Sequence, residues 1–332
     1  MPADTRCLAP KTGYFALLIA LVAAGGFALT SGAYPVALDD ILRLFTGAEA
    51  ADATASLVLW DIRMPRLVLG LLTGAVLAVA GALLQGLFRN PLADPGLIGV
   101  SSGAALAAVA VIVLGGSGLA GWSALTGRWA LPFAAFLGGA ATTLLAWRIA
   151  RRQGQTSVAL LLLAGTAINA VAGAGTGVLT FWTMGSLAHA SWDDVWISAP
   201  FMLLTLIAAP LLARPLDAFL LGEPVAGHLG YSTDWVKRGV ILLVALGVGA
   251  AVAVSGLIGF VGLVVPHFLR QLLGAGHHAL LPACALAGAT LLVAADCLAR
   301  IVVAPAELPI GLVMALLGGP VFLILLLRNR FV

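Results

Sequence analysis

The sequence predicts an all-α, polytopic membrane protein with ten transmembrane helices. The chain of 332 residues is 61% hydrophobic and only 9% charged, too little charge to cover a soluble surface of this size. Its apolar runs reach about 20 residues, the length of a spanning helix. The ten-residue alternation of a lipid-facing barrel is missing. With bilayer as solvent and no barrel pattern, helices are the remaining way to satisfy the backbone.

Ten spans follow in order, at about 14–31, 67–88, 97–115, 131–149, 157–180, 196–213, 236–254, 256–273, 279–303 and 309–327. The first, preceded by Arg6 and Lys11, has the look of a secretory leader ending near Ser31-Gly32-Ala33. The apolar runs behind it favour an uncleaved first span. The longest hydrophilic piece, about 32–66, reads as a loop with little room for a fold of its own. Residues 1–332 are therefore expected to form a single transmembrane domain, with no soluble and no nucleotide-binding domain.

Orientation comes from the basic residues. A cytoplasmic N-terminus places Arg6, Lys11, Arg89, Arg148, Arg151, Arg152, Arg214, Lys237, Arg238, Arg270, Arg328 and Arg330 on the inner side. Arg43, Arg63, Arg66, Arg128 and Arg300 fall outside, twelve against five, which satisfies the positive-inside rule. Both termini are then cytoplasmic. The same distribution explains the net charge of +3 without nucleic acid as a partner. Cys7, Cys284 and Cys297 show no metal-ligand spacing, so neither a zinc site nor a disulfide framework is expected.

Forty glycines let helix backbones approach closely in a bilayer. Gly70-x-x-x-Gly74 is one such spacing, and Gly249, Gly256, Gly259 and Gly262 mark another. Polar residues inside spans need a partner or water. Gln85, Ser101, Ser102, Thr166, Asn169 and Thr176 are candidates for a shared aqueous translocation path, with interhelical hydrogen bonds as the plainer alternative for each. Asp296 is the acid deepest in a span, and Arg300 at i+4 offers it a local ion pair. No Gly-x-x-x-x-Gly-Lys-[Ser/Thr] phosphate loop occurs, so ATP chemistry, if used, belongs to another chain. No catalytic residue is assigned.

Three blocks, in order, carry a family resemblance. The first is Arg63-Met64-Pro65-Arg66, Gly81-x-x-x-Gln85, Arg89-Asn90-Pro91-Leu92-Ala93-Asp94-Pro95 and Gly99-x-Ser101-x-Gly103-Ala104. The second runs from Gly256 to His267 with Arg270. The third is Asp296-x-x-x-Arg300, Glu307-Leu308-Pro309-Ile310-Gly311 and Gly318-x-Pro320. Together they resemble the FecCD-type permeases, the membrane subunits of type II ABC importers for iron chelates, haem and vitamin B12. The resemblance implies a bacterial inner-membrane protein working as a homodimer. Its other partners are two ABC ATPase subunits, which bind ATP and Mg, and a periplasmic substrate-binding protein. It implies no cofactor and no metal on this chain.

Residue roles come over from the same resemblance. Arg63, Arg66 and Arg300 look like the outer arginines that pair with acids of the binding protein, and guanidinium forks suit carboxylates. Residues 215–231 resemble the cytoplasmic coupling loop, in which two short helices meet at a glycine and dock on the ATPase. Its members are Leu216, Phe219, Leu220, Gly222, Glu223, Ala226, Leu229 and Gly230. Apolar side chains in a hydrophilic loop are explained by a partner surface, with packing back onto this chain's own helix ends as the alternative. Asn90, Leu92, Thr156 and Ser157 match the cytoplasmic gate. One departure stands out: family members usually carry a longer segment, often with an Asp and an Arg, before Phe181-Trp182-Thr183-Met184-Gly185. No outer gate is assigned for that reason.

Thr180 to Leu187, with Ser31-Gly32-Ala33-Tyr34-Pro35, looks most like haem-importing members. Ferric siderophore and cobalamin are the alternatives within the family. His189, in an outer loop, is the histidine placed to meet incoming haem, or is simply solvated. A secondary transporter driven by an ion gradient is the rival from another class. Such proteins place ionisable residues at the midplane, where this chain offers only Asp296 beside an arginine.

Overall fold

The computed structural model describes the chain apart from residues 1–9, 33, 35, 47–52, 97, 116–120, 122–125, 153–154, 157–159, 161–162, 171–183, 305 and 329–332. Among the described residues its regular secondary structure is helical except for one antiparallel hairpin of two-residue strands, β1 (Arg151–Arg152) and β2 (Gln155–Thr156).

Nine of the ten expected spans are described as complete helices. They are α1 (Pro10–Thr30), α4 (Met64–Phe88), α5 (Val100–Leu114), α6 (Ala130–Ala150), α7 (Trp192–Ala208), α10 (Thr233–Ser255), α11 (Val261–Leu273), α12 (His277–Ile301) and α13 (Ile310–Arg328). The tenth is described as helix over 163–170. Among the described residues, six helical stretches are long and apolar enough to cross a bilayer unaided. Two helices that are not, α5 and α11, are preceded by non-helical chain.

That chain corrects the expected span at 256–273. Residues 256–260 are not helical: Gly256 (φ 68°) and Phe260 (φ 68°) both lie in left-handed conformations, which end a right-handed helix. Helix α11 then has 13 residues, about 20 Å of rise, against a hydrocarbon core of about 30 Å. Residues 32–66 are also more structured than a loop. They hold α2 (Leu38–Thr46), α3 (Ala53–Leu57) and a π-helical turn (Val58–Arg63) that runs directly into α4.

Helix α4 is the centre of the bundle, with nearly every residue from Gly74 to Leu87 buried. It packs against α7, α10, α11 and α12. Glycine makes two of these crossings possible. A methyl group added at Gly74 would sit 2.2 Å from Gly288 O, and one added at Gly288 would sit 2.3 Å from Gly74 O. At Gly81 the addition would meet Gly262 O at 1.8 Å. Backbones in such contact leave no space for a side chain. Of the glycines expected to make the second approach, Gly262 does so, whereas Gly259 meets open space.

Two short helices sit at the far end of this packing, α8 (Ala213–Leu220) and α9 (Glu223–His228). They are joined through Gly222, whose φ of 115° favours glycine. Exposed tryptophans mark the two membrane interfaces. Trp60 (its ring tilted against that of Trp192, centroids 5.2 Å apart) and Trp196 lie toward one end, and Trp235, beside Arg238, lies toward the other.

Candidate functional sites at the two ends of the α4–α12 pair

Helices α4 and α12 run antiparallel and touch along their length through Gly74 and Gly288. Arg66 and Arg89 bracket α4, and His277 and Arg300 bracket α12. Each pair is separated by about 35 Å along its helix, enough to cross a bilayer. The candidate residues gather at these two ends.

The end expected to face outward brings the three arginines together. Arg66 Nε donates to both oxygens of Asp296 at 3.1 and 3.0 Å, and Nη2 adds a third bond at 2.9 Å. Its Nη1 donates to both oxygens of Glu307 at 3.0 and 2.9 Å. Arg300 Nε lies 3.3 Å from Asp296 Oδ2. The i+4 pair read from the sequence therefore exists, but Arg66 holds Asp296 more fully. Other arginine donors hold the end of α1 and the chain just after it: Arg300 donates to Ala28 O and Ser31 O, and Arg63 to Leu29 O and Tyr34 O. Helix-terminal carbonyls lack intrahelical donors and carry partial negative charge, so cations suit them. Arg63 is 5% exposed and Arg66 8%. With Arg300, Tyr34 and Glu307 they line a cavity of about 370 Å³.

At the opposite end, expected to face inward, the coupling-loop candidates divide. Leu216, Phe219 and Ala226 are buried in the chain's own core, where α8 packs on α4 and α12. The expectation that Leu216 and Phe219 lack a core of their own is thus corrected. Leu220, Leu229 and the neighbouring Leu221 remain exposed, Leu221 at 67% and Leu229 at 59%. Glu223 pairs with Lys237 of α10, itself 5% exposed. Gly222 and Gly230 both have positive φ.

The remaining candidates are more dispersed. Asn90 Oδ1 accepts from Leu92 N at 2.9 Å, closing a tight turn after α4. Thr156 pairs with Arg151 in the hairpin, and Ser157 lies outside the described residues. Gln85 is 1% exposed. Its amide nitrogen donates to Gly262 O and Leu263 O, and its oxygen accepts from Arg270 Nη1 at 2.9 Å. Gln85 is therefore a pin between α4 and α11 and does not face a path, which corrects that expectation. Ser101 and Ser102 are partly buried near the start of α5. Thr166 is exposed and bonds back to Leu163 O. Asn169 Nδ2 donates to Gly96 O at 2.9 Å, tying the fifth span to the chain before α5. Thr176 and the shortened segment before Phe181 lie outside the described residues. His189 stands exposed in a turn. Among the described residues, no group of three His, Cys, Asp or Glu side chains could hold a metal ion.

A model of the FecCD transport family matches residues 17–328. The chain belongs to the FecCD transport family. It is 47% identical over 282 residues to the hemin transport system permease protein HmuU of Yersinia pestis, covering 81% of this chain and 83% of that one. It is 42% identical over 292 residues to the vitamin B12 import system permease protein BtuC of Citrobacter koseri, covering 84% and 85%. Among solved structures, one described as a metal-chelate type ABC transporter, in an inward-facing conformation, superposes with a TM-score of 0.81 at 31% identity, covering 96% of this chain and 100% of that one. The fold is accordingly that of a type II ABC importer permease, and the chain is a multi-pass membrane transport protein.

The sequence reading missed Asp217, His277 and Lys237. Asp217 lies inside the coupling loop itself, but only its contacts reveal a role. Asp217 Oδ1 accepts from His277 N at 2.8 Å and from His277 Nδ1 at 2.7 Å.

Proposed function

We propose that this FecCD-family permease imports haem across the bacterial inner membrane, driven by ATP hydrolysed on a partner. The observation that carries the cargo is the 47% identity to the hemin permease of Yersinia pestis. Vitamin B12 is the second reading, supported by 42% identity to BtuC. In this reading a second copy of the chain completes the path, and two ATPase subunits holding ATP and Mg bind below. A periplasmic binding protein delivers cargo above, and both termini face the cytoplasm.

The exposed leucines at 220, 221 and 229 are the ATPase-facing surface, while Leu216, Phe219 and Ala226 root the loop in the bundle. The outer cavity receives acidic side chains of the binding protein. Arg63, Arg66 and Arg300 give it three positive charges against the two of Asp296 and Glu307. Asn90, Leu92, Thr156 and Ser157 form the inner gate. Ser101, Ser102, Thr166 and Asn169 border the path. ATP-driven closure of the ATPases moves the coupling loops, and the pore alternates between outward and inward access.

The test is uptake into proteoliposomes containing the permease, its ATPase and its binding protein. Haem, followed by its Soret band, is expected to accumulate only with ATP. Transport of vitamin B12 in its place would overturn the cargo, and uptake without the ATPase would overturn the mechanism.

A further inference from the structure

The two coupling helices are each fastened to a different span by one buried base. On α8, Asp217 Oδ1 accepts two hydrogen bonds from the first residue of α12, from His277 N at 2.8 Å and Nδ1 at 2.7 Å. On α9, Glu223 pairs with Lys237 Nζ of α10. In both joints the base is nearly buried (His277 0%, Lys237 6%) and the acid is partly open (Asp217 39%, Glu223 28%). Between the two helices, Gly222 allows a sharp change of direction. Arg89, the left-handed residue that ends α4, stands above it, its Nη1 3.7 Å from where a Cβ would be.

The histidine joint has a prepared socket. A methyl group added at Gly86 of α4 would sit 2.2 Å from His277 Nε2. Only glycine there lets the ring lie against α4 and reach Asp217. One residue away, Gln85 joins α4 to α11 through Arg270. A push on α8 therefore reaches α12 directly and α4 by contact, and a push on α9 reaches α10.

We propose that His277 and Lys237 are positioning residues that transmit coupling-helix motion to the spans, each through its own acid, Asp217 or Glu223. The proposal rests on the reading of residues 215–231 as the ATPase-facing loop. Charge-assisted hydrogen bonds are directional and strong where water is scarce, so they carry displacement where apolar contact alone would slip. Two joints on two helices allow α10 and α12 to be driven separately.

The experiment uses the complete permease with its ATPase and binding protein in liposomes. It measures ATPase retention and cargo moved per ATP hydrolysed in His277→Ala, Lys237→Met and the double variant. ATPase retention should stay at the wild-type level. Cargo per ATP should fall about ten-fold in each single variant, the scale of losing one charge-assisted hydrogen bond, and further in the double. Gly86→Ala, which touches neither joint's acid, should uncouple like His277→Ala. His277→Asn, whose amide nitrogen can stand in for Nδ1, should restore coupling. Should Lys237→Met fail to fold, the exchange of Glu223→Lys with Lys237→Glu tests the same joint. Wild-type cargo per ATP in the assembled double variant would overturn the proposal. A cysteine at Leu229 that forms no cross-link to the ATPase would instead overturn the reading of the loop, which separates the two failures.

Discussion

The two ends of the α4–α12 pair, expected to be outer and inner, hold charge in opposite ways. Outside, Arg66 and Arg300 share Asp296, and Arg66 reaches on to Glu307, so three elements are locked through one shared network. Inside, Asp217–His277 and Glu223–Lys237 are separate one-to-one joints on separate helices. A shared network resists rearrangement, because no member can move without stranding another. Separate joints let two spans answer to two small helices. The difference teaches where this permease is built to stay fixed and where it is built to be driven.

The sharpest way to break the comparison is Arg66→Ala. It leaves Asp296, 5% exposed, short of its principal partner. Removing one member of a buried ion pair costs about 3–5 kcal/mol, so thermal unfolding in detergent should show a large loss. A loss below about 1 kcal/mol, the range of exposed pairs, would show that the outer network is not a lock.

The second prediction sets two leucines of the inner end against each other. Leu216→Ala opens a cavity at a fully buried site and should cost about 2–5 kcal/mol. Leu229→Ala, at an exposed site, should change stability by less than about 0.5 kcal/mol yet weaken ATPase binding. Equal stability effects would erase the distinction between a rooted side and a partner-facing side of the coupling loop.

The third concerns the shaft between the ends. Gly81→Ala drives a methyl into Gly262 O and should cost about 1–3 kcal/mol by overpacking, with α11 displaced from α4. Wild-type stability there would mean that α11 does not press on α4.

The smallest effect is expected at Arg43→Ala in α2. Its i,i+4 pair with Asp39 is exposed and is worth at most about 0.5 kcal/mol. A large loss would place α2 among the locked elements of the outer end.

Much of the fold was legible in the sequence, because a run of about 20 apolar residues has few other uses. The exceptions are local. Phe260 adopts a positive φ, which side-chain type does not announce, so the span expected from Gly256 begins five residues late. The helices at Leu38–Thr46 and from Ala53 to Arg63 lie outside the expected spans, where apolar length is no guide.

The outer arginines were legible as a set, yet their bonds were not. Arg66 and Asp296 are 230 positions apart, and only the crossing of α4 and α12 brings them together. The i+4 neighbour Arg300 was the partner that spacing could offer. His277 opens α12 and is fully buried. Its burial depends on Gly86, a residue whose purpose cannot be read from its own helix. Leu216 and Phe219 were expected to be open because the loop around them is hydrophilic, but α8 turns that face onto α4 and α12.

The central claim is that these two ends lie on opposite sides of one membrane. Single cysteines at Leu42 and Leu221, both exposed, placed in a background without Cys7, Cys284 and Cys297, can be labelled with a membrane-impermeant maleimide. The account predicts that position 42 reacts in intact spheroplasts and that position 221 reacts only once the cytoplasmic face is opened. Reaction of both positions from the same side would contradict it.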